Sequence, residues 1–152
     1  MINNLIKQNI DKIKERVEKA SKKAGRKPED IKIIGVTKNV EPVRILKAID
    51  AGIVDLGENR VQELQEKINA IRAANKNENV NWHMIGHLQK NKVKYLIDSV
   101  VMIHSLDSVE LAQEINKRAQ KAGKIIDVLV QVNVAGEESK FGISKDEAMN
   151  FI

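Results

Sequence analysis

The 152-residue chain carries 26 lysines and arginines against 21 aspartates and glutamates, 42% hydrophobic and 31% charged residues, and no cysteine. That suits one globular domain with a real core and excludes disulfides, thiolate metal sites and a cysteine nucleophile, which fits a cytoplasmic protein. A net charge of +5 spread along the chain, with four aromatic residues, gives no base-stacking platform for nucleic acid, the apolar runs are too short to span a membrane, and Met1-Ile2-Asn3-Asn4-Leu5 lacks the basic start and apolar block of a signal peptide.

Residues 2–24 read as a long amphipathic helix, with Leu5, Ile6, Ile10, Ile13, Val17 and Ala20 at three- and four-residue steps and Gly25 as its left-handed cap. Residues 31–38 form a short apolar strand ending at Lys38, followed by a helix from Pro42 that Gly52 closes. A pleated strand would set Lys38 on the face of Ile34 and Val36, an amine atop an apolar wall at a strand's carboxyl end, where α/β proteins gather their chemistry. A partly desolvated lysine there favours its neutral form, the form that attacks an aldehyde. Position alone, however, leaves it one of 26 basic residues, most of them solvated.

A second strand at 53–56 leads into a helix over 58–74, and an asparagine-rich loop spans 75–79. Gly57-Glu58-Asn59-Arg60 at that junction reads either as a site facing the same rim as Lys38 or as a tight turn with Glu58 favourable at the helix dipole. The third strand is 82–85 and a short basic helix covers 90–98, its Lys90, Lys92 and Lys94 a solvated face. His83 and His87 stand four apart, but Gly86 interrupts any helix between them, so no metal site is expected and His83 reads as a hydrogen-bonded strand histidine. His104 reads likewise at the end of the fourth strand, 100–104.

Asp107 and Glu110 suggest a capping box for a helix that Gly123 ends. The fifth strand, 126–134, has the continuous apolar character of a strand covered on both faces. Gln131 and Asn133 late in it either grip a polar ligand or satisfy loop backbone, and Lys140 lies in the polar loop that follows. Ser144 to Glu147 reads as a second capping box opening a last helix. Strands alternating with helices at this spacing predict βαβ units and a parallel sheet. Neither G-x-G-x-x-G nor a P-loop occurs.

Gly35-Val36-Thr37-Lys38, Gly57-Glu58-Asn59-Arg60-Val61-Gln62-Glu63, Trp82-His83-Met84-Ile85-Gly86-His87-Leu88-Gln89-Lys90-Asn91-Lys92 and Ser139-Lys140-Phe141-Gly142-Ile143 occur in the order and spacing of one family. Over essentially its whole length the chain resembles the pyridoxal phosphate homeostasis proteins of the YggS/PROSC type. The resemblance implies an α/β fold, a (β/α)8 TIM-type barrel like the N-terminal domain of alanine racemase, of which the first five β/α units are present. It implies pyridoxal 5′-phosphate as cofactor, held reversibly as a Schiff base on Lys38, with Asn59 flanking the ring, His83 and Asn133 lining the pocket and Lys140 a second lysine near it. The family usually has a small residue where this chain has His87.

The resemblance further implies a cytoplasmic carrier in vitamin B6 homeostasis, with no catalytic residues, partnered by the cofactor and by apo-enzymes that need it. The alternative is a pyridoxal phosphate-dependent amino-acid racemase or lyase. Because family members run about a third longer and such barrels usually need about 250 residues, residues 1–152 are expected to be the N-terminal portion of a single domain. The remainder would hold the serine-, threonine- and glycine-rich phosphate cup and the arginine facing the pyridine nitrogen. The full-length protein is expected to be a monomer, while an open five-strand piece would expose sheet edges and self-associate. A rival architecture, the flavodoxin-like doubly wound domain, orders its strands 2-1-3-4-5, against 1-2-3-4-5 for a barrel segment.

Overall fold

A computed structural model describes residues 2–75, 79–137 and 139–152, so Lys76, Asn77 and Glu78 of the asparagine-rich loop and Glu138 of the polar loop lie outside the described residues. In chain order the elements are α1 (Ile2–Lys23), β1 (Ile34–Val36), α2 (Pro42–Asp50), β2 (Asp55–Glu58), α3 (Val61–Ala73), β3 (Asn81–Met84), β4 (Val100–Leu106), α4 (Val109–Lys121), β5 (Asp127–Val130), β6 (Val132–Asn133), β7 (Ile143–Ser144) and α5 (Ala148–Phe151). The first five strands form one parallel sheet in the order β1-β2-β3-β4-β5, and β6 pairs with β7 in a separate two-stranded sheet. Sequential order excludes the doubly wound alternative. Among the described residues no helix is long and apolar enough to cross a membrane.

Strand alternation divides the sheet into two unlike faces. Leu56, Trp82, Met84 and Ile103 are buried against Leu64, Ile68 and Ile71 of α3 and Leu111 and Ile115 of α4. The paired registers put Ile34 beside Asp55, Val36 beside Gly57, Gly57 beside His83 and His83 beside Met102 on the opposite face. That face is partly open, with Val36 51% exposed.

Several element boundaries differ from the sequence reading, each for a local reason. β1 stops at Val36 because a turn follows, in which the Val40 N–H donates to the Thr37 carbonyl at 2.9 Å and Asn39 takes a left-handed φ of +58°. β2 runs two residues later than expected, so Glu58 is a strand residue with no exposure and not the first residue of a helix. The 90–98 segment is a 3-10 turn over Lys90–Tyr95, where Lys92 and Lys94 lie over the Tyr95 ring. Ser108, not Asp107, caps α4, its hydroxyl accepting from the Leu111 N–H at 3.3 Å.

The fifth strand is broken at Gln131 and is not covered on both faces, since Val128 and Leu129 are 38% and 49% exposed. The Ser144–Glu147 box does form, with Ser144 Oγ to Glu147 Oε2 at 2.6 Å and the Glu147 N–H returning to Ser144 Oγ at 3.3 Å. On α1, Ile6, Ile10 and Val17 are half-buried while Leu5 and Ile13 stay exposed, so only part of its apolar stripe is used. Lys14 of that helix donates to the carbonyls of Ala51 and Gly52 at 3.2 Å, satisfying orphan acceptors at the end of α2.

Gly86 makes the closest backbone approach at the rim: a Cβ there would sit 2.3 Å from the Asn59 carbonyl oxygen and 2.7 Å from the Asn59 Cα. Neither atom can move without moving the chain between β2 and α3. Gly86→Ala is therefore expected to cost about 1–3 kcal/mol, in the range of overpacked sites, read as a lowered urea midpoint with an unchanged denaturant slope.

Candidate functional site

The carboxyl ends of β1 and β2 lie side by side, joined by the Thr37 N–H donating to the Gly57 carbonyl at 3.0 Å. Lys38 follows the first and Asn59 the second. Lys38 is exposed in the turn and, among the described residues, makes no side-chain hydrogen bond or ion pair. The strand pleat therefore stops before Lys38, and the partial desolvation expected of it is absent. Asn59 is half-buried, its backbone seated on Gly86, and with Met84, His87 and Gln89 it lines a rim cavity of ≈ 480 Å³.

Beneath Lys38, on the helix-covered face, lies a charged cluster that the sequence reading missed. Glu58 Oε1 accepts from the Thr37 hydroxyl and from Lys67 Nζ, both at 2.6 Å. Lys67 Nζ also donates to the Thr37 carbonyl at 2.6 Å and to Glu63 Oε2 at 3.3 Å, which uses all three of its N–H groups. The Asn39 N–H donates to Glu63 Oε2 at 3.3 Å. This backbone donor first, and then Lys67, outweigh desolvation and hold the Glu63 carboxyl below its ordinary range. The side chains of Lys67 and Glu58 are 8% and 0% exposed, so removing one partner alone leaves a buried charge at a cost of about 3–5 kcal/mol.

One signal for this cluster was present in the sequence. Lys67 falls inside the helical stripe of Leu64, Ile68 and Ile71, and Glu58 alternates with Leu56. A lysine and a glutamate each on an apolar face call for one another.

On the open face His83 has no exposure and bridges two neighbours, with Nε2 3.0 Å from Asp55 Oδ1 and Nδ1 3.0 Å from His104 Nε2. The Asp55 carboxylate can only accept, so the His83 Nε2–H donates to it, and His83 Nδ1 and His104 Nε2 share the second hydrogen bond. Burial raises the Asp55 carboxyl, but the hydrogen bond from His83 and the charge of Lys32, 3.5 Å away, outweigh it and leave the group below its ordinary range. Burial first, then the charges of His83 and Lys32, push the His104 imidazole down. His83 is thus the hydrogen-bonded strand histidine read from the sequence, in register with Gly57 and one pleat below the rim where Asn59 stands. No group of three or more His, Cys, Asp or Glu among the described residues could hold a metal ion.

The two remaining candidates lie in the β6–β7 segment. Asn133 Nδ2 donates to the carbonyls of Glu137 at 2.8 Å and Lys140 at 3.2 Å, and Gln131 Nε2 donates to the Phe141 carbonyl at 3.1 Å. Both amides donate to loop backbone, while the buried Asn133 Oδ1 has no hydrogen-bond partner among the described residues. Lys140 pairs with Glu137 at 2.6 Å on the surface. His87 stacks on Phe141 with ring centroids 3.6 Å apart and lies 3.2 Å from Asp107, tying this loop to the rim.

Residues 8–152 match the family described as alanine racemase, N-terminal domain. The chain is 45% identical over 139 residues to the pyridoxal phosphate homeostasis protein of Aquifex aeolicus, covering 91% of this chain and 59% of that protein. It is 33% identical over 144 residues to the Escherichia coli K12 protein of the same name, covering 95% and 61%. It therefore spans about three fifths of the length of these curated relatives, which exceed it by more than the expected third. Among solved structures it is similar to an unknown protein from Bifidobacterium adolescentis, with TM-score 0.85 and 33% identity over 98% of this chain and 63% of that one. It is also similar to PipY of Synechococcus elongatus PCC7942 with PLP bound, with TM-score 0.68 and 26% identity over 88% and 62%.

The imidazole pair gives a pH test. A depressed folded value for His104 means that the unfolded chain takes up its proton first. The stability tied to the neutral ring is present above the ordinary histidine value of about 6.5 and is lost as pH falls through it toward the folded value. NMR titration of the His104 ring should place its midpoint below that value, and His104→Gln should flatten that part of the stability–pH curve in urea unfolding.

Proposed function

Because this chain belongs to the alanine racemase N-terminal domain family, we propose that it binds pyridoxal 5′-phosphate through Lys38 and acts in the intracellular holding and release of that cofactor. The observation that carries this reading is the place of one free lysine amine, just past the end of β1 and beside Asn59 at the end of β2. The Lys67 amine is committed to three acceptors and the Lys140 amine to Glu137, while the Lys38 amine is exposed and free of partners among the described residues. A nucleophilic amine must have its lone pair available and a path for the electrophile to approach. The residues present fit the group: a free primary amine stands at the carboxyl end of one parallel strand, with an amide side chain at the end of the next.

When bound, pyridoxal 5′-phosphate supplies an aldehyde that condenses reversibly with a primary amine, losing one water, and is returned intact by hydrolysis. Lys38 would supply that amine and Asn59 would flank the ring. The Asp55–His83–His104 hydrogen bonds tie β2, β3 and β4 together on the open face. The sequential strand order supports reading the five-stranded sheet as consecutive units of an eight-stranded barrel, with the ligand at the carboxyl ends. The partners on this reading are the cofactor and the apo-enzymes that receive it, in the cytoplasm.

The test is borohydride reduction of the chain with pyridoxal phosphate, followed by intact mass and peptide mapping. One cofactor mass on Lys38 is expected, and its loss in Lys38→Ala. Equal labelling of Lys38→Ala would overturn the assignment. Amino-acid racemisation or elimination that disappears with Lys38→Ala would make the chain an enzyme instead.

A further inference from the structure

We infer that Lys67 and Glu63 of α3, together with Glu58 of β2, are positioning residues for Lys38: they clamp the two peptide groups on either side of it and so set the direction in which its amine leaves the rim. This rests on the reading of Lys38 given above. The direction of a side chain follows from the orientation of the peptide planes flanking its Cα. The plane before Lys38 carries the Thr37 carbonyl, which accepts from Lys67 Nζ at 2.6 Å and from the Val40 N–H at 2.9 Å. The plane after it carries the Asn39 N–H, which donates to Glu63 Oε2 at 3.3 Å. Both anchors come from one helix, four residues apart, and they bond each other at 3.3 Å.

The turn needs such anchors. Asn39 has a φ of +58°, a conformation that L residues other than glycine hold only when their surroundings impose it, asparagine more readily than most. Glu58 completes the device from below. It accepts from both Lys67 and the Thr37 hydroxyl, so the ammonium that grips the Thr37 carbonyl is itself fixed to the sheet. A bond from Lys67 to Glu58 alone would join β2 to α3. The further bonds to the Thr37 carbonyl and the Asn39 N–H fall on the two peptides that orient Lys38.

Glu63 is partly exposed, so Glu63→Ala should fold, and Glu63→Gln keeps an acceptor for the Asn39 N–H. Lys67→Met combined with Glu58→Gln removes the buried pair without stranding a charge. Two readouts separate positioning from mere support. Without any cofactor, hydrogen exchange at the Asn39 amide should speed up about 10-fold in Glu63→Ala and stay near wild type in Glu63→Gln. With pyridoxal phosphate and borohydride, labelling at Lys38 relative to the exposed Lys23 of α1 should fall about 10-fold in Glu63→Ala and in the double variant, against the roughly 100-fold that a 1 Å misplacement can cost, and recover in Glu63→Gln. Faster exchange with an unchanged labelling ratio would overturn the positioning role and leave the functional reading intact. Unchanged exchange in Glu63→Ala would overturn the clamp itself. A wild-type chain that labels nothing at Lys38 would sink the functional reading, and the positioning role with it.

Discussion

The buried ion pair between Glu58 and Lys67 is the constraint on which the rim depends. Two charges are taken out of water where β1, β2 and α3 meet, and each is tolerable only because the other is present. Glu58 spends one oxygen on two donors, and its Oε2 has no partner among the described residues, so its charge is balanced almost wholly by Lys67. An apolar pair of similar size would have packed the same space. What the ionic pair adds is direction: hydrogen bonds to a carbonyl and a hydroxyl of one residue, Thr37, and through Glu63 to the next turn residue but one.

That arrangement sets three lysines in unlike surroundings. Lys67 is buried and fully bonded, Lys140 is paired on the surface, and Lys38 is unencumbered at the tip of a turn whose backbone is held from beneath. A reactive amine needs freedom at its end and a fixed base. On the role proposed for Lys38, the charged cluster on the helix face of the sheet holds that base, and the amine lies free beyond the strand's last residue.

The open face follows a different logic. Asp55, His83 and His104 form a short chain of hydrogen bonds across β2, β3 and β4. Buried polar groups are stable when so satisfied, and they fix register as well. The loop between β6 and β7 is organised separately by the Gln131 and Asn133 amides and meets the rim through the His87–Phe141 stack. His87 is therefore a packing contact between that loop and the rim.

The sequence by itself determined the α/β class, the alternation of strands and helices, the Lys38 and Asn59 positions at neighbouring strand ends, the hydrogen-bonded nature of His83 and the Ser144–Glu147 box. These follow from periodicity, caps and motif spacing, which are local properties of the chain. Only the tertiary structure decided that β1 ends two residues before Lys38, that Glu58 is a buried strand residue and not a helix opener, and that β5 breaks at Gln131. It also decided that Lys67 reaches back across 30 residues to Thr37. The reason is common to all of these: a short strand's last residue and a buried charge's partner are set by what lies across the sheet, and a neighbour in space leaves little trace in the residues on either side.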